Sequence, residues 1–119
     1  MSTRTGMLPG TAAGAAVPPA LLDGIRKALN PRRIVLFGSH ATGTARADSD
    51  WDLLVVIDDD TPDERLGWRA LHEARRAFTG PVDLIPCRES VFQARRDVVG
   101  SLPWIAATEG VIVYERPAG

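Results

Sequence analysis

Hydrophobic and polar positions follow one another in a pattern that predicts helices and strands in turn. Apolar residues at helical spacing predict a first helix that Asn30-Pro31 ends, and its stripe comprises Leu21, Leu22, Ile25, Ala28 and Leu29. Short apolar runs predict strands at 33–37, 51–58, 82–86 and 111–114. The run after Asp52 is apolar on both faces, which is typical of a strand inside a covered sheet.

Helical segments separate these strands. A short helix is predicted at 39–45, a long one at 90–99, and a helical turn from Ser101. Between them, Thr61-Pro62-Asp63-Glu64 has the composition of a capping box and predicts a helix that Gly80-Pro81 closes. The alternation predicts an α/β (α+β) class with a small mixed β-sheet flanked by helices, which we expect mainly on one face.

The length of 119 residues allows one folded domain. Residues 1–16 are rich in Gly, Ala, Thr and Pro and predict a flexible N-terminal arm, so we expect the domain at 17–119. A formal net charge of −1 argues against direct nucleic-acid binding, and the apolar runs are too short to span a membrane. Interrupted apolar character near the N-terminus argues against a signal peptide, and the lone Cys87 cannot form an internal disulfide. We therefore expect a cytoplasmic protein.

The first feature that suggests chemistry is the pair Gly38-Ser39, at the junction of a predicted strand and a predicted helix. Because glycine has no Cβ, backbone N–H groups there can approach a bound anion closely. Ser39 adds a hydroxyl group and the first free amide of the helix. The pair therefore suits phosphate oxygens.

Asp50 and Asp52 follow after ten further residues, at the head of a predicted strand. Strand alternation puts both on one face, with Cα atoms about 6.6 Å apart at roughly 3.3 Å per residue. Two carboxylates about 5 Å apart repel by on the order of 3 kcal/mol at an effective dielectric of about 20. A cation would relieve this repulsion, and oxygen ligands without a nearby histidine or cysteine favour Mg²⁺, with Mn²⁺ as the alternative, over zinc.

Asp83 is the single charged residue in the predicted strand Val82-Asp83-Leu84-Ile85. Burial of a lone carboxylate is costly, so we expect Asp83 to point toward the same metal site. Three carboxylates, two divalent ions and a phosphate-binding turn form the arrangement for in-line phosphoryl or nucleotidyl transfer. One ion would accompany the triphosphate and the other would lower the pKa of the attacking hydroxyl, with Asp83 as a ligand and candidate base.

Structural explanations stay open for each feature taken alone. Gly38-Ser39 could be only a strand-to-helix turn with a serine cap. Asp50 could cap a turn, and Asp52 could end a solvated strand edge. Asp83 could form a structural ion pair with one of two arginines, Arg33 or Arg88.

Four aromatic or imidazole side chains have similar alternatives. His40 is either a surface histidine or, because it follows Ser39, a contact to the nucleotide. Trp51 lies between the two aspartates and is expected to face the other side of its strand, in the core. Trp68 and Trp104 are candidates for contact with a partner or a second copy in a homo-oligomer.

The spacing of Gly38-Ser39, ten residues and Asp50-x-Asp52, with a later acid in an apolar strand, resembles the DNA polymerase beta-type nucleotidyltransferase superfamily. Within it the chain resembles the minimal nucleotidyltransferases, whose pattern is Gly-Ser-x(10)-Asp-x-Asp. The resemblance covers about 34–86 by motif and implies a nucleotidyltransferase (polymerase beta-like) fold. It implies that Gly38 and Ser39 hold the β- and γ-phosphates of a nucleoside triphosphate. It also implies that Asp50 and Asp52 bind both metal ions and that Asp83 binds the ion on the acceptor side.

The resemblance also implies a partner protein. Minimal members are commonly encoded beside a HEPN-domain toxin, and they are similar to enzymes that transfer AMP from ATP to a tyrosine of that ribonuclease. Members often carry arginine where this chain has Thr42, which removes a candidate phosphate contact. No helical substrate domain follows the core, so the acceptor site would be shared with another chain.

The expected activity is therefore Mg²⁺-dependent transfer of AMP from ATP to a hydroxyl of a toxin, as the antitoxin of a toxin–antitoxin pair. One alternative is an antitoxin that only binds and masks its partner. Another is a small-molecule nucleotidyltransferase whose accessory subunit is a separate chain.

Overall fold

A mixed sheet of five strands forms the centre of the protein in the computed structural model, which describes residues 8–9 and 17–117. The strands are β1 (Leu8–Pro9), β2 (Arg33–Phe37), β3 (Trp51–Ile57), β4 (Val82–Arg88) and β5 (Val111–Glu115). The helices are α1 (Pro19–Leu29), α2 (Ser39–Thr42), α3 (Trp68–Arg75), α4 (Glu89–Arg95) and α5 (Leu102–Glu109), with a 3-10 turn at Asp63–Leu66. The predicted α/β class is confirmed. The predicted arm at 1–16 lies outside the described residues, except for β1.

The strands are arranged in the order β1-β5-β2-β3-β4. β2 pairs antiparallel with both β3 and β5, whereas β4 pairs parallel with β3, and β1 pairs parallel with β5. The apolar residues of both central strands are buried, from Ile34 to Phe37 in β2 and from Leu53 to Ile57 in β3. The end of β2, the start of β3 and the start of β4 therefore meet at one end of the sheet.

Helices cover both faces of the sheet, so the expectation of helices mainly on one face is wrong. On one face, α1 packs Leu21, Ile25 and Leu29 against β2 and β3, and Ala74 of α3 joins them. On the other face, Phe92 of α4 and the α5 residues Ala106 and Ala107 pack against the opposite side chains of the same strands. The physical reason is that β2 and β3 are apolar on both faces and need a cover on each.

The helix predicted from Thr61 is interrupted. The backbone forms a 3-10 turn at Asp63–Leu66, becomes extended at Gly67 and begins α3 only at Trp68. Thr61 does not cap either segment, because Pro62 occupies the first N-cap position and Gly67 the second, neither with a side-chain cap hydrogen bond. The predicted capping box is therefore wrong. Glycine, which favours helix poorly, supplies the break.

Other predicted boundaries differ by a few residues. The helix predicted at 90–99 spans Glu89–Arg95, and the one predicted at 39–45 ends at Thr42, where Gly43 follows with a φ of +83°. β4 extends two residues beyond its prediction, to Arg88. The helix predicted from Ser101 does form, and the Trp104 N–H donates to the Ser101 hydroxyl oxygen at 3.2 Å.

Charged side chains form hydrogen bonds with one another at the end of the sheet away from Gly38. Asp58 accepts hydrogen bonds from Arg116 (2.9 Å) and Arg32 (3.0 Å). Arg33 donates to Glu89 at 2.9 Å. In the part of the chain that the structure describes, none of the helices has the length and apolar character needed to cross a membrane.

Candidate active site

Backbone pairing brings the sequence-predicted residues to one end of the sheet. Phe37 is in register with Asp52 across the antiparallel β2–β3 pair, and Asp52 is in register with Asp83 across the parallel β3–β4 pair. Side chains of residues in register point to the same face of a sheet. Asp52 and Asp83 therefore share a face, and it is the face that Phe37 and Leu54 share with α4 and α5.

Gly38 lies against the carboxylate of Asp52. Its φ is +78° and its ψ is −158°, a conformation that is almost confined to glycine. A Cβ built on Gly38 would overlap a carboxylate oxygen of Asp52. The glycine is therefore required both by the backbone and by the close approach of the turn to the acidic side chain.

Ser39 begins α2 but does not cap it. The N-cap residue is Gly38, and no side-chain hydrogen bond caps the helix. The explanation of this serine as a structural cap is therefore wrong. Its position next to Gly38 places its hydroxyl-bearing side chain at the same turn.

Two neighbouring aspartates act electrostatically on Asp52. The pKa of Asp52 is raised, first by burial and then by the negative charges of Asp83 and Asp50, while the charge of His40 opposes the increase. Asp52 is partly buried, whereas Asp50 and Asp83 are exposed. The part of this increase that comes from Asp83 and Asp50 is repulsion that a bound cation would relieve.

Asp83 is exposed, so its carboxylate avoids the cost of burial. The reason is that β4 lies at the edge of the sheet. The structural ion pair considered for Asp83 is also absent, since Arg33 bonds Glu89, and Arg88 bonds the Asp63 carboxylate and two backbone carbonyls.

No salt bridge within residues 17–117 neutralises any of the three aspartates, Asp50, Asp52 or Asp83. Across the described residues, no three His, Cys, Asp or Glu side chains are arranged to hold a metal ion by themselves. Mg²⁺ is commonly held by one or two carboxylates together with substrate phosphates and water. The hard oxygen donors beside the Gly38 turn therefore fit Mg²⁺ that arrives with a nucleotide, and they do not form a finished site on their own.

Thr42, at the position where the resemblance led us to expect arginine, turns its hydroxyl group back onto the α2 segment. Its Oγ1 lies 3.3 Å from the carbonyl oxygen of Gly38 and 3.2 Å from the hydroxyl of Thr44. This hydroxyl therefore stabilises the turn after α2. It cannot supply the charge of an arginine.

A stack between His40 and Trp51 was not predicted from the sequence. The two rings are nearly parallel, with centroids 3.6 Å apart and planes inclined by 6°. His40 Nε2 also donates to the carbonyl oxygen of Ser49 at 3.1 Å. Trp51 packs against the α1 side of the sheet, as predicted, but is only partly buried. The only feature of the sequence that suggested a role for His40 was its position directly after Ser39.

Comparison with known proteins identifies the family and the fold. Residues 20–105 match the family model described as a nucleotidyltransferase domain. A search of curated protein sequences found no significant match. A toxin–antitoxin crystal structure with AMP-PNP is similar at 26% identity and a TM-score of 0.54, over 82% of this chain and 72% of that chain. A mutant MntA–HpeT toxin–antitoxin structure has the same fold at 22% identity and a TM-score of 0.53, over 81% of this chain and 71% of that chain. The chain belongs to the nucleotidyltransferase domain family.

Proposed function

We propose that this protein transfers AMP from ATP to a hydroxyl group of a partner toxin and so acts as the antitoxin of the pair. The observation that carries the proposal is the register of Asp52 with Asp83, beside a Gly38 turn that only glycine fits. This arrangement presents two carboxylates on one face next to a turn suited to phosphate. Family membership supports the transferase class.

Each residue then has a distinct part. Gly38 and Ser39 bind the β- and γ-phosphates through the turn, and Asp50 and Asp52 hold the divalent ions. Asp83, on the exposed edge strand, would bind the ion on the acceptor side. When bound, Mg²⁺ (Mn²⁺ as the alternative) supplies positive charge to the phosphate oxygens and lowers the pKa of the acceptor hydroxyl.

The transfer balances without a further reactant. The acceptor oxygen forms a bond to the α-phosphorus of ATP, and the bond from that phosphorus to the bridging oxygen breaks. Pyrophosphate leaves with the electron pair, and the hydroxyl proton passes to a base, for which Asp83 is the candidate. The residues of the chain contribute orientation and charge, which are the main needs of such a displacement.

The acceptor is proposed to belong to another protein. Asp50 and Asp83 are exposed, so a partner surface can reach the carboxylates directly. One similar structure is a toxin–antitoxin with AMP-PNP, which supports both a toxin partner and an adenine nucleotide. We propose a HEPN-domain toxin and a tyrosine acceptor on the strength of the sequence resemblance.

A second function is favoured by one observation, the neutral Thr42 hydroxyl bonded within its own turn. Without the arginine charge, the protein could neutralise its partner by binding and masking it. A third function is transfer to a small molecule with an accessory subunit supplied as a separate chain.

Labelled ATP distinguishes these functions. The wild-type protein is incubated with Mg²⁺, α-³²P-ATP and the product of the adjacent gene, and label on that product is measured. We expect transfer that Asp50→Ala/Asp52→Ala abolishes. If the double variant neutralises the partner as well as the wild type does, masking is the function. The matched control is Asp60→Ala, an exposed aspartate on the loop after β3.

A further inference from the structure

The His40–Trp51 stack connects the two halves of the proposed site. We propose that His40 is a positioning residue whose ring, stacked on Trp51, fixes the Asp50–Asp52 segment relative to the Gly38-Ser39 turn. This inference rests on the proposed function, because the positioned groups are those assigned to phosphate and metal.

The stack can position the site residues because both of its members are their neighbours in the sequence. His40 directly follows Ser39, and Trp51 separates Asp50 from Asp52. A contact that restrains the Trp51 side chain therefore acts on the segment that carries both aspartates. The face-to-face contact, with centroids 3.6 Å apart, links this segment to the turn at the end of β2.

Of the three aspartates, Asp50 is the one that strand pairing does not hold in place. It precedes β3, so its own backbone is outside the strand ladder. The loop before it is held by a tight turn, in which the Ser49 N–H donates to the Arg46 carbonyl at 3.1 Å. Among the described side-chain hydrogen bonds, only the one from His40 Nε2 to the carbonyl oxygen of Ser49, at 3.1 Å, connects α2 to Ser49. A carboxylate on a loop needs this kind of support to keep a productive geometry.

His40 makes its ring contact with Trp51, and its charge reaches Asp52 only through space. Trp51 packs on the α1 side of the sheet, whereas Asp52 faces the α4 and α5 side. Because neighbouring residues in a strand point to opposite faces, the stacked ring lies across the sheet from the Asp52 carboxylate. This placement assigns His40 a positioning role, in contrast to the direct nucleotide contact that its sequence position allowed.

The test measures metal binding without turnover. Mn²⁺ is titrated by electron paramagnetic resonance into the full chain with α,β-methylene-ATP, whose α–β bridge cannot be cleaved in the transfer. We expect His40→Leu, which removes the aromatic ring, to weaken Mn²⁺ binding about 2–10-fold, as the loss of one stacked aromatic pair predicts. His40→Phe keeps a stacking ring and should restore binding to within about twofold of wild type.

Further variants separate the stack from the hydrogen bond. His40→Gln keeps a donor for Ser49 but no ring, and it should resemble His40→Leu. In the His40→Leu background, Trp51→Leu should add less than about a twofold loss, because the two residues act as one pair. His72→Leu, on the exposed face of α3, is the control and should bind Mn²⁺ as the wild type does.

The outcomes are distinguishable. Full Mn²⁺ affinity in His40→Leu, or restoration by Gln and not by Phe in variants with unchanged thermal unfolding, overturns the positioning role. Wild-type Mn²⁺ affinity in Asp52→Ala instead overturns the proposed metal site itself. If Asp52→Ala loses binding and His40→Leu does not, only the inference about His40 fails.

Discussion

The carboxylate of Asp52 occupies the space that a Cβ on Gly38 would need. This contact joins the end of β2 to the start of β3 at the proposed nucleotide site, and the Gly38 φ of +78° makes the turn unfavourable for any other residue. The geometry of the site therefore requires glycine at position 38, because the Cβ of any other residue would displace the Asp52 carboxylate.

Gly38→Ala should reduce transfer strongly. The new Cβ displaces the Asp52 carboxylate, and a misplacement of about 1 Å can cost about 100-fold in rate. The added backbone strain should also lower the free energy of unfolding by about 1–3 kcal/mol. Transfer of labelled AMP and urea unfolding measure the two effects.

Gly43→Ala is the matched control for this change. Gly43 also has a positive φ, +83°, but a Cβ there would meet no atom within 4 Å. It should cost about 1–2 kcal/mol of stability through its backbone alone and leave transfer within about threefold of wild type. Equal losses of transfer in both variants would contradict the role assigned to the Gly38–Asp52 contact.

Asp83→Asn should lower activity and raise stability together. The Asp52 pKa is raised first by burial and then by the charge of Asp83, so without that charge it should fall part of the way toward its ordinary value. A raised carboxyl pKa in the fold means that the ionised form is disfavoured there, and stability increases as the pH falls through that pKa. Relief of the repulsion should therefore add a few tenths of a kcal/mol at neutral pH, reduced by solvent screening.

The measurements for Asp83→Asn are a carboxyl NMR titration of Asp52, urea unfolding at pH 7 and labelled AMP transfer. A charge-preserving control, Asp83→Glu, should leave the Asp52 pKa raised. An unchanged Asp52 pKa in Asp83→Asn would mean that the two carboxylates do not interact across β3 and β4.

Much of the site was accessible from the sequence because it depends on local spacing. Asp50 and Asp52 lie two residues apart at a strand start, so strand alternation alone predicts their relation. The placement of Asp83 was predicted from its isolation in an apolar run, but its exposure depends on the strand order, which puts β4 at the edge.

Other features depend on contacts that no local pattern contains. The His40–Trp51 stack joins residues eleven apart across a loop, and its geometry follows from how α2 and β3 pack. The two-sided helix cover depends on the path of the chain after β4. The residues of a capping box are present at Thr61–Glu64 but make no cap, and the helix is interrupted at Gly67. The composition alone therefore predicted a continuous helix that does not form.

Asp58→Asn should destabilise the end of the sheet opposite the site. The pKa of Asp58 is lowered, chiefly by hydrogen bonds from Arg116 and then Arg32. A lowered carboxyl pKa contributes stability that is present above the ordinary pKa of aspartate and lost as the pH falls through the folded value. After allowance for solvent screening we expect a loss of about 0.5–1 kcal/mol at pH 7 by urea unfolding, with little difference from wild type at pH 2.

Asp60→Asn controls for the change of charge in the same loop, and its stability should stay within about 0.5 kcal/mol of wild type. Transfer activity should survive in Asp58→Asn under conditions where the protein is folded, since the bonds of Asp58 are made at the far end of β2 and β3. Equal stability of the two variants would show that the arginine bonds to Asp58 contribute nothing measurable.

Cys87 should react slowly with thiol reagents in the folded protein. Burial raises its pKa, the negative charge of Glu89 adds to the increase, and Arg95 opposes it. A higher pKa leaves less thiolate at pH 7.5, and the thiolate is the reactive form. We expect labelling by iodoacetamide to be at least about tenfold slower in the folded chain than in 8 M urea, because partial burial adds to the pKa effect. Glu89→Gln, which removes the nearby negative charge, should speed the folded-state reaction; a slower one would contradict this electrostatic account.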